Sequence, residues 1–429
     1  RRLKKNQKMA IQKAGAFLRC LPSESRPYLE HAMRRNPHFS LLKPQYLFSE
    51  ISKKLAQFRK ENPEISVIDL SIGDTTQPLC RSITQAIKEF CVSQEKQETY
   101  RGYGPETGLE KLRTKIASEV YENRISPEEI FISDGAKPDI FRLFSFFGSE
   151  KTLGLQDPVY PAYRDIAHIT GIRDIIPLAC RKETGFIPEL PNQQSLDILC
   201  LCYPNNPTGT VLTFQQLQAL VNYANQHGTV LIFDAAYSAF VSDPSLPKSI
   251  FEIPEAKYCA IEINSFSKSL GFTGMRLAWN VIPKELTYDN NEPMINDWKR
   301  LFATTFNGAS LLMQEAGYYG LDLFPTPPAI SLYLTNAQKL KKSLETAGFS
   351  VHGGDHAPYL WVELPEGISD EEAFDFFLHQ YHIAVTPGHG FGSCGQGFVR
   401  FSALTQPQNI ALACDRLCTA SLKETMVLA

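Results

Sequence analysis

Near the start of the fold, apolar residues recur at every third or fourth position with polar residues between them. This spacing predicts an amphipathic helix, and it stops at Asn62, before Pro63, where a helix normally ends. The next segment, SVIDLSIGD, predicts a strand that runs into a turn at Gly73. The apolar stripe of the predicted helix consists of Leu47, Ile51, Leu55 and Phe58.

Farther along, short continuous apolar runs alternate with longer segments of helical periodicity. Such runs are typical of strands that are buried on both faces. Residues 213–228 have a helical pattern, and Gly228 favours the end of that helix. This alternation predicts right-handed crossovers and a largely parallel sheet between helices, which is an α/β fold. The predicted strands lie in KTLGLQD, DILCLCYP, GTVLIFDAAY, YCAIEINSFS and MRLAWNVI.

The pattern changes after the proline-rich residues 325–328. A long helical pattern is followed by PYLWVELP, DEEAFDFFLHQY and GFVRFSAL, which indicate a smaller α+β domain. We expect the N-terminal helix to complete this domain. The predicted parts are a basic leader at 1–33, a segment at 34–69 that joins the small domain, a large domain at 70–315 and a small domain at 316–429.

Composition narrows the class of protein. The 429 residues are 43% hydrophobic and 21% charged, as in globular proteins, and the net charge is −3. Residues 1–35 carry ten Lys and Arg against two Glu, a net charge of +8, which leaves −11 for the rest. An acidic body does not support nucleic-acid binding. We expect the leader to be an extension from start-site choice or expression, with an organellar leader or a binding arm as alternatives.

Two further features concern the compartment. No stretch reaches the roughly 18 apolar residues that a membrane-spanning helix needs. The ten cysteines include no CxxC pair, which favours a reducing compartment. We therefore expect a cytoplasmic protein that does not cross a membrane.

Polar residues follow three of the predicted strands. Because the carboxyl ends of parallel strands meet at one edge of a sheet, where α/β proteins bind ligands, we expect these side chains to share a site. They are Asn206 after ILCLC, Asp234 and Tyr237 after TVLI, and Ser265, Ser267 and Lys268 after CAIEI, with Arg276 eight positions beyond the lysine.

This set of residues has a joint chemical meaning. A lysine can form a Schiff base with an aldehyde cofactor, and an aspartate can keep a pyridine nitrogen protonated. Hydroxyls, an arginine and the amides of a helix N-terminus can bind a phosphate. Each signal is weak alone, since an aspartate at a strand end more often caps a helix. Their combination indicates a phosphorylated pyridine-aldehyde cofactor.

At these residues, the motifs YPNNPTG, DAAY and SFSKSLGFTGMR resemble the fold-type I pyridoxal-phosphate aminotransferases of class I/II. The resemblance covers residues 34–420 and implies a seven-stranded large-domain sheet and pyridoxal 5′-phosphate as cofactor. It implies that Lys268 binds the cofactor and transfers protons, and that Asp234 pairs with the pyridinium. Tyr237 and Asn206 match residues that hydrogen-bond the O3′ atom of the cofactor ring.

The same resemblance implies further roles. Arg400 in GFVRFS matches the arginine that binds the substrate α-carboxylate, although an arginine on an alternating strand normally faces solvent. Tyr103 in RGYGPETG matches the tyrosine that reaches the phosphate of the other subunit, which implies a homodimer with shared active sites. The other implied cofactor contacts are the backbone of Ala136 and Lys137, the stacking residue Tyr160, and Ser265, Ser267 and Arg276 at the phosphate.

Longer segments, among them NPHFSLLKPQYLFSEISKK, SIGDTTQPL and TTFNGAS, are similar to the LL-diaminopimelate aminotransferase family. This resemblance implies amino transfer between LL-2,6-diaminopimelate and 2-oxoglutarate, which gives tetrahydrodipicolinate, glutamate and water. The reaction belongs to lysine and meso-diaminopimelate biosynthesis.

Diaminopimelate carries an ammonium and a carboxylate at each end, so its distal end needs protein partners of its own. Glu106, three residues after Tyr103, is suited to accept the distal ammonium across the dimer interface. The alternative is a carboxylate that stabilises a helix start by about 0.3–1 kcal/mol. The other implied substrate contacts are Tyr46, Gly73, Lys137, Asn206, Asn307 and Arg400.

Other functions stay open at this point. They are a class I/II aminotransferase of aspartate, aromatic or kynurenine specificity, a lyase, and a regulatory module that binds the cofactor without catalysis. Residues 390–395 fit the GxGxxG pattern of dinucleotide sites, but they precede a strand instead of joining a strand to a helix. His352 and His356 have a zinc-like spacing, but two glycines separate them. We expect no nucleotide or metal site.

Overall fold

The computed structural model describes residues 33–192, 195–325, 327–418 and 426. Nearly all of the predicted leader therefore lies outside the described residues. Residues 1–42 and 43–429 are two separate units. In the described part of the first unit, a short 3-10 turn spans Pro37–Ser40, and the Asn36 side chain caps it by accepting a hydrogen bond from the His38 backbone N–H at 2.9 Å.

Thirteen strands in the described residues of the second unit form three sheets. The large sheet has the order β2-β8-β7-β6-β5-β3-β4. Its strands β3 to β7 run parallel, and only β8 pairs antiparallel with β2 and β7. The strands are β1 (Ile68–Asp69), β2 (Ile130–Ser133), β3 (Leu153–Asp157), β4 (Ile175–Ala179), β5 (Ile198–Cys202), β6 (Val230–Asp234), β7 (Ala260–Ser265), β8 (Ala278–Val281), β9 (Ser350–Gly353), β10 (Tyr359–Glu363), β11 (Ile383–Ala384), β12 (Thr386–Pro387) and β13 (Phe398–Ser402).

Helices cover this sheet on both faces, where they form two cores. The α-helices of the described residues are α1 (Leu47–Glu61), α2 (Arg81–Ser93), α3 (Glu110–Glu119), α4 (Ala136–Phe147), α5 (Ala162–Thr170), α6 (Phe214–His227), α7 (Phe266–Ser269), α8 (Met294–Thr305), α9 (Leu311–Gly320), α10 (Pro328–Thr346), α11 (Asp370–Tyr381) and α12 (Pro407–Leu417). The predicted α/β class with a mostly parallel sheet is confirmed.

The central strands form because their apolar runs are buried on both faces. Every residue of β5 and β6 is buried, including Cys200, which packs as a small apolar side chain. Cys202 lies opposite Asp234, and Asp234 lies opposite Ile263. The carboxyl ends of β5, β6 and β7 therefore meet at one edge of the sheet.

A second core surrounds the four-stranded antiparallel sheet β12-β13-β10-β9. The stripe of α1 belongs to this core, where Ile51 and Leu55 are buried together with Leu340 of α10. Near its start, α10 contributes Ile330 and Tyr333 to a core of the large sheet. One helix thus connects the two sheets.

The predicted strand in SVIDLSIGD is correct in type and too long. Ladder pairing is confined to Ile68–Asp69, which pairs parallel with β11. The chain then changes partners, because the Leu70 N–H donates to Ala384 O at 2.9 Å while Leu70 O accepts from the Ser402 N–H at 2.8 Å. The segment after Leu70 is free of a ladder and enters the site described below.

Two negative findings hold for the described residues only. Across the described ranges, no helix combines the length and the apolarity that crossing a bilayer requires. The nine cysteines within those ranges are all free thiols.

Candidate active site

A cavity of about 680 Å³ opens at the carboxyl ends of β5, β6 and β7, between the large sheet and β13. Its volume lies within the usual range of ligand sites. Most of the residues predicted from the sequence line it. They are Tyr46, Gly73, Ala136, Lys137, Tyr160, Asn206, Asp234, Tyr237, Ser265, Ser267, Lys268, Arg276 and Arg400.

Lys268 projects into this cavity from the short helix α7, whose first turn is capped by the Ser265 hydroxyl. Its ammonium donates a hydrogen bond to the carbonyl of Gly73. The pKa of Lys268 is lowered to about 8, mainly by burial; Asp74 opposes this shift, and three nearby cations add to it. The cations are Arg400, Arg276 and Lys137. At pH 7, roughly one-tenth of the amine is thus neutral and nucleophilic.

This depressed pKa of Lys268 predicts a specific pH dependence. Only the neutral amine reacts with acetic anhydride, so acetylation of Lys268 in the cofactor-free protein is expected to rise with pH, with a midpoint near 8, and then level off. Mass spectrometry of the Lys268 peptide measures this rate, with the exposed Lys60 as internal standard. A midpoint above pH 10 would contradict the prediction.

Asp234 ends β6 and is 5% exposed. Its Oδ2 accepts a hydrogen bond from the Tyr163 hydroxyl at 2.5 Å, and its Oδ1 accepts from the Ala236 N–H at 3.0 Å. Burial raises the pKa of Asp234, and these two hydrogen bonds partly oppose that rise. A buried carboxylate with fixed orientation is suited to stabilise a cation in the cavity.

An anion-binding cradle lies at the N-terminus of α4. The twelve-residue helix begins at Ala136, after Gly135 with φ of +139°. A Cβ on Gly135 would lie only 2.2 Å from Arg276 Nη2, so glycine is needed for the arginine to approach the helix start. Arg276 donates to Thr273 O at 3.0 Å and lies 3.4 Å from the Ser267 hydroxyl. Backbone amides, hydroxyls and a guanidinium thus converge in a way that suits a phosphate.

Arg400 lies on β13 and is 1% exposed, so it does not occupy a solvent-facing position of that strand. Its Nη1 donates to Asn206 Oδ1 at 2.7 Å, and its Nη2 donates to Ser71 O at 2.5 Å. Within the described ranges its hydrogen-bond acceptors are neutral, and its buried Nε has none. A buried guanidinium needs an anionic partner, so Arg400 is suited to bind a carboxylate from a ligand in the cavity.

Aromatic rings form one wall of the cavity. Tyr160 lies edge-on to Tyr163, with ring centroids 5.8 Å apart. The Lys137 ammonium lies 5.4 Å from the Tyr160 ring and 5.8 Å from the Tyr46 ring. Burial raises the pKa of the Tyr46 phenol, and the adjacent Tyr160 phenol raises it further. This wall is therefore apolar and neutral apart from the lysine.

Three predicted residues do not line the cavity of the single chain. Tyr103 is 88% exposed, and Glu106 is exposed as well. Asn307 precedes Gly308, at which a Cβ would lie 3.6 Å from Glu106 Cα, so these two segments are neighbours. Their assignment to a shared site stays a prediction.

Several residues of the site were not predicted. Tyr163 holds Asp234, and the Tyr359 hydroxyl lies 2.7 Å from the Tyr237 hydroxyl. Phe48, Ile72 and Asp74 also line the cavity. The only sequence signal for Tyr163 is its position three residues after Tyr160, and Tyr359 carries none, because it resembles any buried strand residue.

The chain is similar to known aminotransferases along most of its length. The family description "aminotransferase class I and II" matches residues 65–417. An LL-diaminopimelate aminotransferase of Protochlamydia amoebophila is 42% identical over 91% of this chain and 98% of the relative. One of Parabacteroides distasonis is 40% identical over 89% and 98%, respectively.

Solved structures give similar matches. The L,L-diaminopimelate aminotransferase of Chlamydomonas reinhardtii superposes with a TM-score of 0.85 at 42% identity, covering 90% of this chain and 98% of that one. An aspartate aminotransferase of Thermus thermophilus has a TM-score of 0.77 at 20% identity, covering 90% and 99%. At that identity, the second match shows a shared fold alone.

Proposed function

The chain belongs to the aminotransferase class I and II family, and from this we propose that it transfers an amino group between LL-2,6-diaminopimelate and 2-oxoglutarate. The products are tetrahydrodipicolinate, glutamate and water, on the route to lysine and meso-diaminopimelate. Relatives with that activity in their names are 40–42% identical along nearly their whole length. The structural observation that carries the proposal is the buried Arg400, which has no anionic partner in the described ranges and lines the same cavity as Lys268.

The residues of the cavity fit pyridoxal 5′-phosphate. When bound, this cofactor supplies an electron sink for negative charge that develops at the substrate Cα. The cradle of Ala136, Lys137, Ser265, Ser267 and Arg276 suits its phosphate. Asp234 would pair with the ring nitrogen, Tyr160 would stack on the ring, and Asn206 and Tyr237 would hydrogen-bond O3′. One structural observation supports this fit. Gly135 carries no side chain, and this allows the Arg276 guanidinium to approach the helix start where the phosphate would bind.

The chain's own residues divide the chemistry between them. The Lys268 amine takes a proton from Cα of the amino donor and, in the second half of the reaction, delivers one to Cα of the amino acid that forms from the keto acid, because its pKa of about 8 lies near working pH. The buried Asp234 carboxylate holds a proton on the cofactor nitrogen by ion pairing. Arg400 orients the substrate by binding its α-carboxylate in a fork. The buried aromatic wall limits access of water.

The second subunit of a homodimer completes the site in our proposal. Tyr103 is a large aromatic side chain that is 88% exposed in the single chain, which supports a role at an interface. We assign Tyr103 to the phosphate of the partner subunit and Glu106, with Asn307 beside it, to the distal ammonium of the substrate. Tyr46, Gly73 and Lys137 line the same cavity from the chain's own side.

Two organisational points are also proposals. We divide the catalytic chain into a large domain at 70–315 and a small domain at 316–429, with the segment 34–69 joining the small domain. Packing of Ile51 and Leu55 in the core of the small sheet supports the last assignment. We also propose that the protein is located in a reducing compartment such as the cytoplasm, which the free thiols of the described residues support.

The purified holoenzyme tests the proposed activity directly. We expect tetrahydrodipicolinate to form from LL-diaminopimelate only when 2-oxoglutarate is present, with slower reaction of aspartate and lysine. Reaction with the meso isomer measures stereochemical strictness. Preferred turnover of aspartate or an aromatic amino acid would move the protein to another aminotransferase specificity, and keto-acid release without an acceptor would identify a lyase.

Glu106→Gln separates recognition of the distal ammonium from general catalysis. We expect kcat/KM for LL-diaminopimelate to fall by about 10- to 100-fold, because a charge-assisted hydrogen bond is lost. Donors without a distal ammonium should be almost unaffected. Glu110→Gln, on an exposed glutamate four residues along the chain, serves as the matched control. An equal loss for all donors would show a structural role instead.

A further inference from the structure

The glycine-rich loop that joins β12 to β13 has a structural function that its GxGxxG pattern does not reveal. It folds into two 3-10 turns, Gly388–Phe391 and Ser393–Gly395. A Cβ on Gly388 would lie 2.0 Å from Gly395 O, so the two turns pack backbone against backbone. A Cβ on Gly392 would lie 2.0 Å from Asp157 Oδ1. The glycines thus permit a close approach of the loop to itself and to a carboxylate.

Asp157 is the last residue of β3 and is 1% exposed. Its Oδ2 accepts hydrogen bonds from the Ser393 N–H at 3.0 Å and the Ser393 hydroxyl at 2.7 Å. Its Oδ1 accepts from the Cys394 N–H at 3.0 Å. Among the described residues, the one cation within ion-pair distance is Arg164, whose Nη2 lies 4.0 Å from Oδ2. This buried carboxylate therefore connects the large sheet to the loop mainly through three hydrogen bonds.

The loop in turn contacts the guanidinium of Arg400. Two residues after Asp157, the Val159 N–H donates to Phe391 O at 2.9 Å. The Phe391 ring is 2% exposed and lies 5.0 Å from the Arg400 guanidinium. Phe391 also packs edge-on against Trp361, with ring centroids 5.9 Å apart. The hydrogen bonds that hold the loop therefore also hold the Phe391 ring, against which the Arg400 guanidinium packs.

We infer that Asp157 is a positioning residue for carboxylate recognition, which holds Phe391 and through it the orientation of Arg400. The inference rests on the proposed role of Arg400 in binding the α-carboxylate. Both the amino acid and 2-oxoglutarate carry that carboxylate, so a displaced Arg400 weakens binding of both substrates. Asp157 does not line the cavity, so we expect the chemical step itself to be unaffected.

Asp157→Asn tests this inference in the holoenzyme. An amide turns an N–H donor toward the loop amides, so at least one hydrogen bond is lost. We expect the KM values for the amino donor and for 2-oxoglutarate to rise in parallel by about 3- to 30-fold, with kcat changed by less than about twofold. The dissociation constant of glutarate, a dicarboxylate that does not react, should rise by the same factor in calorimetry.

Two companion variants keep the test decisive if Asp157→Asn folds poorly. Ser393→Ala removes only the hydroxyl bond and should raise the same constants by about 2- to 5-fold. As a control, Ser343→Ala removes a buried serine hydroxyl in α10, away from the loop, and should change none of these constants. Combining Asp157→Asn with Phe391→Leu should raise KM by less than the product of the single effects, since both act through one contact.

Unchanged KM values in Asp157→Asn and Ser393→Ala, a fall in kcat alone, or multiplicative effects in the double variant would overturn the inference. The test uses whichever amino donor the wild-type enzyme turns over. Preference for aspartate would contradict the proposed substrate. The KM values measured with aspartate would still test the role of Asp157.

Discussion

Replacing Lys268 with alanine is expected to lower kcat for amino transfer by roughly 10²- to 10⁴-fold, which is the usual contribution of a positioned acid–base group. The neutral amine is the proton carrier, and the methyl group of alanine cannot accept a proton. The fold should persist, because Lys268 makes a single hydrogen bond, to Gly73 O, among the described residues. Single-turnover measurement of glutamate formation gives the rate.

Two controls accompany the alanine variant. Lys151→Ala removes a surface lysine that pairs with Asp197 at 3.3 Å, and it should turn over normally. Lys268→Arg keeps a cation in the cavity but lacks an accessible neutral form, so it should be nearly as slow as the alanine variant. Normal turnover in Lys268→Ala would refute the assigned chemistry, whatever the substrate.

Replacing Asp234 with asparagine should lower kcat by about 10²- to 10³-fold, as expected when one preorganised electrostatic group is removed. A neutral amide cannot stabilise a proton on the cofactor nitrogen. The side-chain oxygen can still accept the Tyr163 hydroxyl, so the packing around β6 is retained. Turnover and the visible absorbance of the bound cofactor are the measurements.

Tyr163→Phe provides a graded comparison for this site. It removes the 2.5 Å hydrogen bond to Asp234 but leaves the carboxylate in place. We expect a loss of kcat smaller than that of Asp234→Asn, while Asp197→Asn, distant from the cavity, should be silent. A Tyr163→Phe loss as large as that of Asp234→Asn would assign a direct chemical role to the tyrosine.

The residues that could be found from the sequence share one property, which is that each follows a strand of recognisable pattern. Asp234 is the last residue of a fully buried parallel strand, and Asn206 and Lys268 closely follow two others. Parallel strands end at the same edge, so their convergence follows from local patterning and the crossover rule. The chemistry of these residues in combination indicates a phosphorylated pyridine-aldehyde cofactor.

The burial and the contacts of Arg400 do not follow from local patterning. Alternation along β13 cannot distinguish a solvent-facing arginine from one that is 1% exposed, because a covering layer must be known first. Its acceptors Asn206 and Ser71 come from segments more than 190 residues away along the chain. Only packing of the small sheet against the large one decides that contact.

Local sequence determined the helices, the parallel strands and the polar residues at their ends, because hydrophobic periodicity and turn residues act over a few positions. The tertiary structure alone decided which distant groups complete the site. Tyr163 reaches Asp234 from 71 positions away, and Tyr359 reaches Tyr237 from 122. Periodicity specifies that a side chain is buried, whereas its partner is set by how separate sheets and helices pack.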